Sequence, residues 1–150
     1  VASIVELLIG GEARAGLRQF ERHDPVTNLL VTRAAAATVA DANAAADAAA
    51  AALPGWSARG PNERRMLLTR AAAVLEGHAA DFVDAMMGET GSTEGWARFN
   101  LMLAASIIRE AASLTTQIVG EVIPSDKPGC LALTIREPAG VVLGIAPWNA

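Results

Sequence analysis

Arg136-Glu-Pro-Ala-Gly-Val-Val-Leu-Gly-Ile-Ala-Pro-Trp-Asn149 is the stretch on which the reading of this chain turns. Pro138 and Gly140 punctuate the backbone, residues 141–146 form an unbroken apolar run, and Pro147 breaks it again. A short apolar run bounded by turn residues fits a strand buried on both faces, as in a parallel sheet. In open α/β folds, ligands sit just beyond the carboxyl ends of such strands. Trp148 and Asn149 stand at that place and are candidates for ligand contact.

Upstream, Leu131, Leu133 and Ile135 alternate with Ala132, Thr134 and Arg136, a period-2 strand with one drier face and Asp126-Lys-Pro-Gly129 as its turn. Before it, a helix is expected to start after Thr93 and to run to about Gln117. Trp96, Phe99, Leu103, Ile107, Ala111, Leu114 and Ile118 line one side of it, and Leu101, Ala105, Ile108 and Ala112 another. A helix apolar over so much of its circumference is expected to lie between other elements. Pro61 opens an earlier helix at the favoured first position. Leu67, Ala71, Val74, Leu75, His78, Phe82 and Met86 are its expected buried stripe, with a break near Gly77 and a close at Glu89-Thr-Gly91.

Thr38-Val-Ala-Asp41 has the form of a capping box with Asp in place of Glu. The helix it opens carries Val39, Ala42, Ala46, Ala49 and Leu53 on one face, and Pro54-Gly55 is expected to end it. The opening segment reads as short strands. Val5-Glu-Leu-Leu-Ile9 meets the hairpin signal Gly10-Gly11 and returns through Glu12-Ala-Arg14. Phe20-Glu-Arg-His23 runs into the turn starter Asp24-Pro25, and Leu29-Leu-Val-Thr-Arg33 is a further strand.

Bulk properties narrow the function classes. With 52% hydrophobic and 19% charged residues, the chain is globular rather than disordered. Its net charge of −4 disfavours nucleic acid or anionic lipid as partner. No stretch approaches the roughly 20 apolar residues of a spanning helix. A single cysteine, Cys130, excludes an internal disulfide framework and suits a reducing, cytoplasmic setting. His23 and His78 offer no metal-ligand spacing, so no metal is expected. The opening residues carry no basic n-region of a signal peptide, and the absence of an initiator methionine is expected of a truncated or processed chain.

Five segments in order resemble one family. They are Leu8-Ile-Gly-Gly11, Asp24-Pro-Val-Thr27, Glu63-Arg-Arg65 with Leu67-Leu68, Glu89-Thr-Gly91, and the stretch from Glu137 to Asn149. Together they resemble the NAD(P)-dependent aldehyde dehydrogenase superfamily over nearly the whole chain. The resemblance implies an α/β fold, the amino-terminal part of the aldehyde dehydrogenase fold. Its parts would be N-terminal strands, a three-helix layer, a bridging strand and the first buried strand of a Rossmann-like cofactor domain. Residues 1–150 would then be a partial, incomplete N-terminal cofactor-binding domain. Cys130 to Glu137 would belong to an oligomerisation sheet, and the intact protein would be a homodimer or homotetramer. Trp96-Ala-Arg-Phe-Asn100, Arg109-Glu-Ala-Ala-Ser113 and Gly120-Glu-Val-Ile-Pro124 resemble the salicylaldehyde and vanillin dehydrogenase branch, which oxidises aromatic aldehydes to acids.

Chemistry of this kind needs a Cys nucleophile, donors for the oxyanion, a nicotinamide hydride acceptor (NAD or NADP) and a Glu base. The resemblance puts Asn149 in the oxyanion hole as its side-chain donor; the competing reading is a helix cap. It puts Ile145, Ala146, Pro147 and Trp148 along the dinucleotide by backbone and apolar contact, against a reading of Trp148 as core filler. There is no Gly-x-Gly-x-x-Gly, and Gly10-Gly11 is a turn rather than a phosphate cradle. The family's nucleophile lies far beyond the Pro-Trp-Asn stretch, so Cys130 is read as structural. Phe99, Leu103 and Ile107 match the helix from which the family builds part of its aldehyde tunnel, with plain helix–helix core as the competing reading. Arg22, His23 and Glu89 match positions that hold a monovalent cation in some relatives; ordinary turn chemistry is the preferred reading. Lacking the nucleophile, base and Gly-rich motif, the chain is expected to be inactive alone. Two alternatives stand beside this: a non-catalytic helical interaction or oligomerisation module, and a CoA-dependent or phosphorylating semialdehyde dehydrogenase of the same superfamily.

Overall fold

A computed structural model describes residues 2–146. The first strand, β1 (Ser3–Val5), is followed by a hairpin of β2 (Leu7–Ile9) and β3 (Glu12–Arg14). Gly10 and Gly11 sit at φ +63° and +84°, the two left-handed positions that a two-residue type I′ turn demands, and Ile9 faces Glu12 across it. Val5, expected in the hairpin, belongs instead to β1. That strand pairs parallel with β5 (Leu30–Ala36), which also pairs antiparallel with β4 (Arg18–His23), giving the order β1-β5-β4. The Asp24 carboxylate closes the β4–β5 turn by accepting from the Val26 and Thr27 N–H groups at 2.7 and 3.0 Å.

Helix α1 (Val39–Ser57) starts at the expected box. The Thr38 hydroxyl accepts from the Asp41 N–H at 3.2 Å, and the Asp41 carboxylate accepts from the Thr38 N–H at 2.8 Å. It does not end at Pro54-Gly55. Proline forfeits only its own ladder bond, while its carbonyl still accepts from the Ala58 N–H at 3.1 Å, so the last turn closes beyond it. Gly55 takes no left-handed cap.

Helices α2 (Pro61–Gly77) and α3 (Ala79–Thr90) divide at His78, beside the expected break, and Gly91 at φ +68° closes α3. The expected stripe needs correction. The positions turned inward are Leu68, Ala72, Leu75, Ala79, Val83 and Met86, while Leu67, Ala71, Val74, His78 and Phe82 face out. One residue along a helix is a rotation of about 100°. Periodicity could not choose between Leu67 and Leu68; the approach of two backbones did. Helix α4 (Glu94–Ser113) packs on α2 and α3, and alanines meet there, with Ala72, Ala105 and Ala112 all buried. Side chains of that size let helix axes come close.

The α4 cap is the expected Thr93, whose hydroxyl accepts from the Trp96 N–H at 3.3 Å. A short 3-10 turn (Leu114–Thr116) extends the helix. Two polar ties bind it to α2. Glu76 takes both terminal nitrogens of Arg109 at 2.6 and 2.5 Å. Arg65 donates to the Ala112 carbonyl oxygen at 3.3 Å and to the Thr116 hydroxyl at 2.9 Å. The expectation that α4 lies between other elements is met on one side only. Trp96, Phe99, Leu103, Ile107, Leu114 and Ile118 are exposed among the described residues.

The strand expected at residues 131–135 is shorter in the structure. Strands β6 (Val122–Ile123) and β7 (Ala132–Leu133) pair antiparallel, and Gly129 at φ +75° serves the turn between them. A knot ties the base of this hairpin. Glu121 donates its N–H to the Thr134 hydroxyl at 2.9 Å, and Thr134 donates its own N–H to the Glu121 carbonyl oxygen at 2.8 Å. A Cβ on Gly120 would overlap the Thr134 carbonyl oxygen, so only glycine fits there.

Residues 141–146 are neither helix nor paired strand, and Val142, Leu143 and Ile145 are 80%, 82% and 85% exposed. The pattern of an interior strand is present without its surroundings. Burial on both faces needs a hydrogen-bonded neighbour and covering layers, and the described residues supply neither at this position.

Candidate functional site

The expected site residues divide by position. Ile145 and Ala146 are at the end of the described segment with their apolar side chains exposed. Pro147, Trp148 and Asn149 lie outside the described residues. The Glu121–Thr134 knot holds the hairpin, and residues 136–140 leave it along α1 and α2. There, Leu53, Trp56, Arg59, Arg64, Ile118 and Arg136 are among the residues lining a cleft of about 530 Å³. Arg59 is ion-paired with Glu63, and Arg64 donates to the Arg59 carbonyl oxygen at 2.7 Å. This cleft was not visible in the sequence, since it joins arginines some seventy residues apart that form no linear pattern.

The outward face of α4 is the second region of interest. Trp96 and Phe99 stack with ring centroids 5.4 Å apart and planes inclined by 28°. The Thr93 cap fixes the first turn, and the Asn100 side chain donates to the Trp96 carbonyl oxygen at 2.9 Å. Leu103 and Ile107 continue the face at helical spacing, on the side turned away from α2. Of the two readings for Phe99, Leu103 and Ile107, the helix–helix core is not what the described residues show. The core side is the alanine side.

Around the β4–β5 turn, Asp24, Thr27, Asp81, Asp84 and Glu89 line a cavity of about 740 Å³. Backbone N–H groups of Thr27 and Val26 hold the Asp24 carboxyl below the usual carboxylate range. Two of the three positions matched to a cation site in relatives, Arg22 and His23, have side-chain contacts of their own. The Arg22 guanidinium lies 5.7 Å from the Phe20 ring centroid, and His23 lies 3.7 Å from the Glu21 carboxylate. Among the described residues, no group of three or more His, Cys, Asp or Glu side chains is arranged to hold a metal ion. Cys130 is exposed beside the β6–β7 turn rather than packed. His78 is exposed and lies 3.0 Å from the Asp81 carboxylate. Among the described residues, no serine or cysteine is hydrogen-bonded to a histidine as an activated nucleophile would be. Among the described residues, no helix is long and apolar enough to cross a membrane.

Known proteins are similar to this chain in both sequence and geometry. The chain is 57% identical over 149 residues to a vanillin dehydrogenase of Pseudomonas fluorescens, covering 97% of this chain and 30% of that protein. It superposes on the crystal structure of a salicylaldehyde dehydrogenase from Pseudomonas putida G7 complexed with salicylaldehyde. The TM-score is 0.87 at 42% identity, over 91% of this chain and 28% of that one. An NAD-dependent benzaldehyde dehydrogenase from Corynebacterium glutamicum gives a TM-score of 0.78 at 33% identity, over 83% of this chain and 28% of that one. The chain thus spans about 30% of the length of the curated relatives it matches. The profile of the aldehyde dehydrogenase family matches residues 12–150, and the chain belongs to that family.

Proposed function

We propose that this chain is the amino-terminal part of an enzyme that oxidises an aromatic aldehyde, of the salicylaldehyde or vanillin kind, to its carboxylic acid with NAD or NADP. The observation that carries the proposal is the likeness to an aromatic-aldehyde enzyme bound to its aldehyde, at a TM-score of 0.87 and 42% identity. The outward face of α4 fits this reading. A stacked Trp96–Phe99 pair continued by Leu103 and Ile107 offers an apolar wall of the kind a planar aromatic ring seeks.

Within that reading, Asn149 is the oxyanion donor. A neutral amide N–H aimed at developing negative charge stabilises the transition state, and loss of one such donor costs about 100- to 1000-fold in rate. A fixed cation in its place would also hold the product carboxylate. The dinucleotide, when bound, supplies the hydride acceptor. Ile145 and Ala146 fit its contact by chemistry, being apolar and exposed, and Pro147 and Trp148 would extend that contact. Residues 1–150 form an incomplete cofactor-binding domain. Cys130 to Glu137, with Leu131, Leu133 and Ile135 exposed, is its contribution to the sheet of a homodimer or homotetramer. We place the enzyme in the cytoplasm, with a small-molecule aldehyde rather than nucleic acid or membrane as partner.

The nucleophilic Cys and the base Glu are not matched within these 150 residues. The polypeptide alone therefore gives no NADH or NADPH absorbance with salicylaldehyde or benzaldehyde, and robust turnover would overturn the assignment. In an enzyme carrying this segment, Asn149→Ala lowers kcat about 100- to 1000-fold with the protein still folded. An unchanged kcat would return Asn149 to the role of a helix cap. One observation favours a second reading, a non-catalytic interaction module: the apolar face of α4 lies open. A folded, monodisperse 150-residue monomer would support that alternative, and aggregation would weigh against it.

A further inference from the structure

We draw no further inference here: the strongest candidate, the cleft between the end of α1, the start of α2 and residues 136–140, carries nothing because Arg59 is taken by Glu63, Arg64 by the Arg59 carbonyl oxygen, Glu137 offsets Arg136 in the same wall, and nothing in the structure shows what covers Trp56 and Ile118 beside them.

Discussion

The α2–α3–α4 layer and residues 118–146 are held together in opposite ways. The layer buries Ala72, Val83, Ala97, Ala105 and Ala112 and adds the Glu76–Arg109 and Arg65 ties across its seam. In residues 118–146 no residue is buried, and order rests on a few hydrogen bonds at the base of one hairpin. The second region is nevertheless the more apolar to read, with its run of Val141, Val142, Leu143 and Ile145. Hydrophobicity records which residues are fit for an interior; burial depends on whether the neighbours are present. The layer contains its own neighbours. The tail carries the pattern of an interior strand, and no described residue covers it.

The most severe test of that contrast is overpacking the seam. Ala105 is fully buried on the α4 face turned to α2, so Ala105→Leu must push the helices apart. The expected cost is about 3 kcal/mol, read as a lower urea midpoint with an unchanged slope. A cost under about 0.5 kcal/mol, the scatter of ordinary surface substitutions, would mean the layer is no tighter than the tail. Next in size is Gly91→Ala. Gly91 sits at φ +68°, and its added Cβ would stand 2.9 Å from the Pro25 Cγ of the neighbouring turn. Left-handed backbone costs a non-glycine residue roughly 1–2 kcal/mol, so a loss of that order is expected by the same measurement.

Gly120→Ala probes the other region, and its signature is local. The new methyl displaces Thr134, so amide-exchange protection at Glu121 and Thr134 disappears. The unfolding free energy of the helices, read from the same urea titration, changes by less than about 0.5 kcal/mol, because no buried contact is lost. A global loss as large as that of Ala105→Leu would show the hairpin and the layer to be one cooperative unit.

How far the fold could be read in the sequence follows the same division. Signals made by a few adjacent residues were legible: the Gly10-Gly11 turn, the Thr38–Asp41 box, Pro61 at a helix start, Thr93 as a cap and Gly91 as a stop. Each is settled by local backbone chemistry. The phase of the α2–α3 stripe was not, because Leu67 and Leu68 are equally apolar and only the neighbouring α4 backbone decides which turns inward. Pro54 misled for a related reason: a proline near a helix end removes one ladder bond without preventing the next. At the site, the resemblance named Ile145 to Asn149, and of these only Ile145 and Ala146 lie among the described residues. The Trp96–Phe99 stack follows from i, i+3 spacing on the α4 side already read as apolar, whereas the arginine-lined cleft arises from tertiary placement, for which a single sequence has no short-range signal.

The gentlest test is titration. Three carboxylates are held below their usual range: Asp24 by the Thr27 and Val26 N–H groups, Asp41 by the Thr38 N–H and hydroxyl, and Glu76 by the Arg109 guanidinium. A group whose folded pKa is depressed contributes stability that is present above its unfolded pKa and lost as pH falls through the folded one. Stability is therefore expected to be flat above about pH 5 and to decline in acid as these groups take up protons. Glu76 is exposed and Asp24 and Asp41 are half-buried, all within reach of solvent, so the slope is shallow, and high salt reduces the Glu76–Arg109 part first. Asp24 lies in the β4–β5 turn, Asp41 at the start of α1 and Glu76 on α2, all outside the β6–β7 hairpin. The acid decline should thus appear in the helical circular dichroism, flatten in Asp41→Asn and Glu76→Gln, and leave exchange protection at Glu121 unaffected until the helices melt. Were the hairpin to lose protection in step with the helices across the whole acid range, the two regions would share one stability, and their different construction would have no thermodynamic consequence.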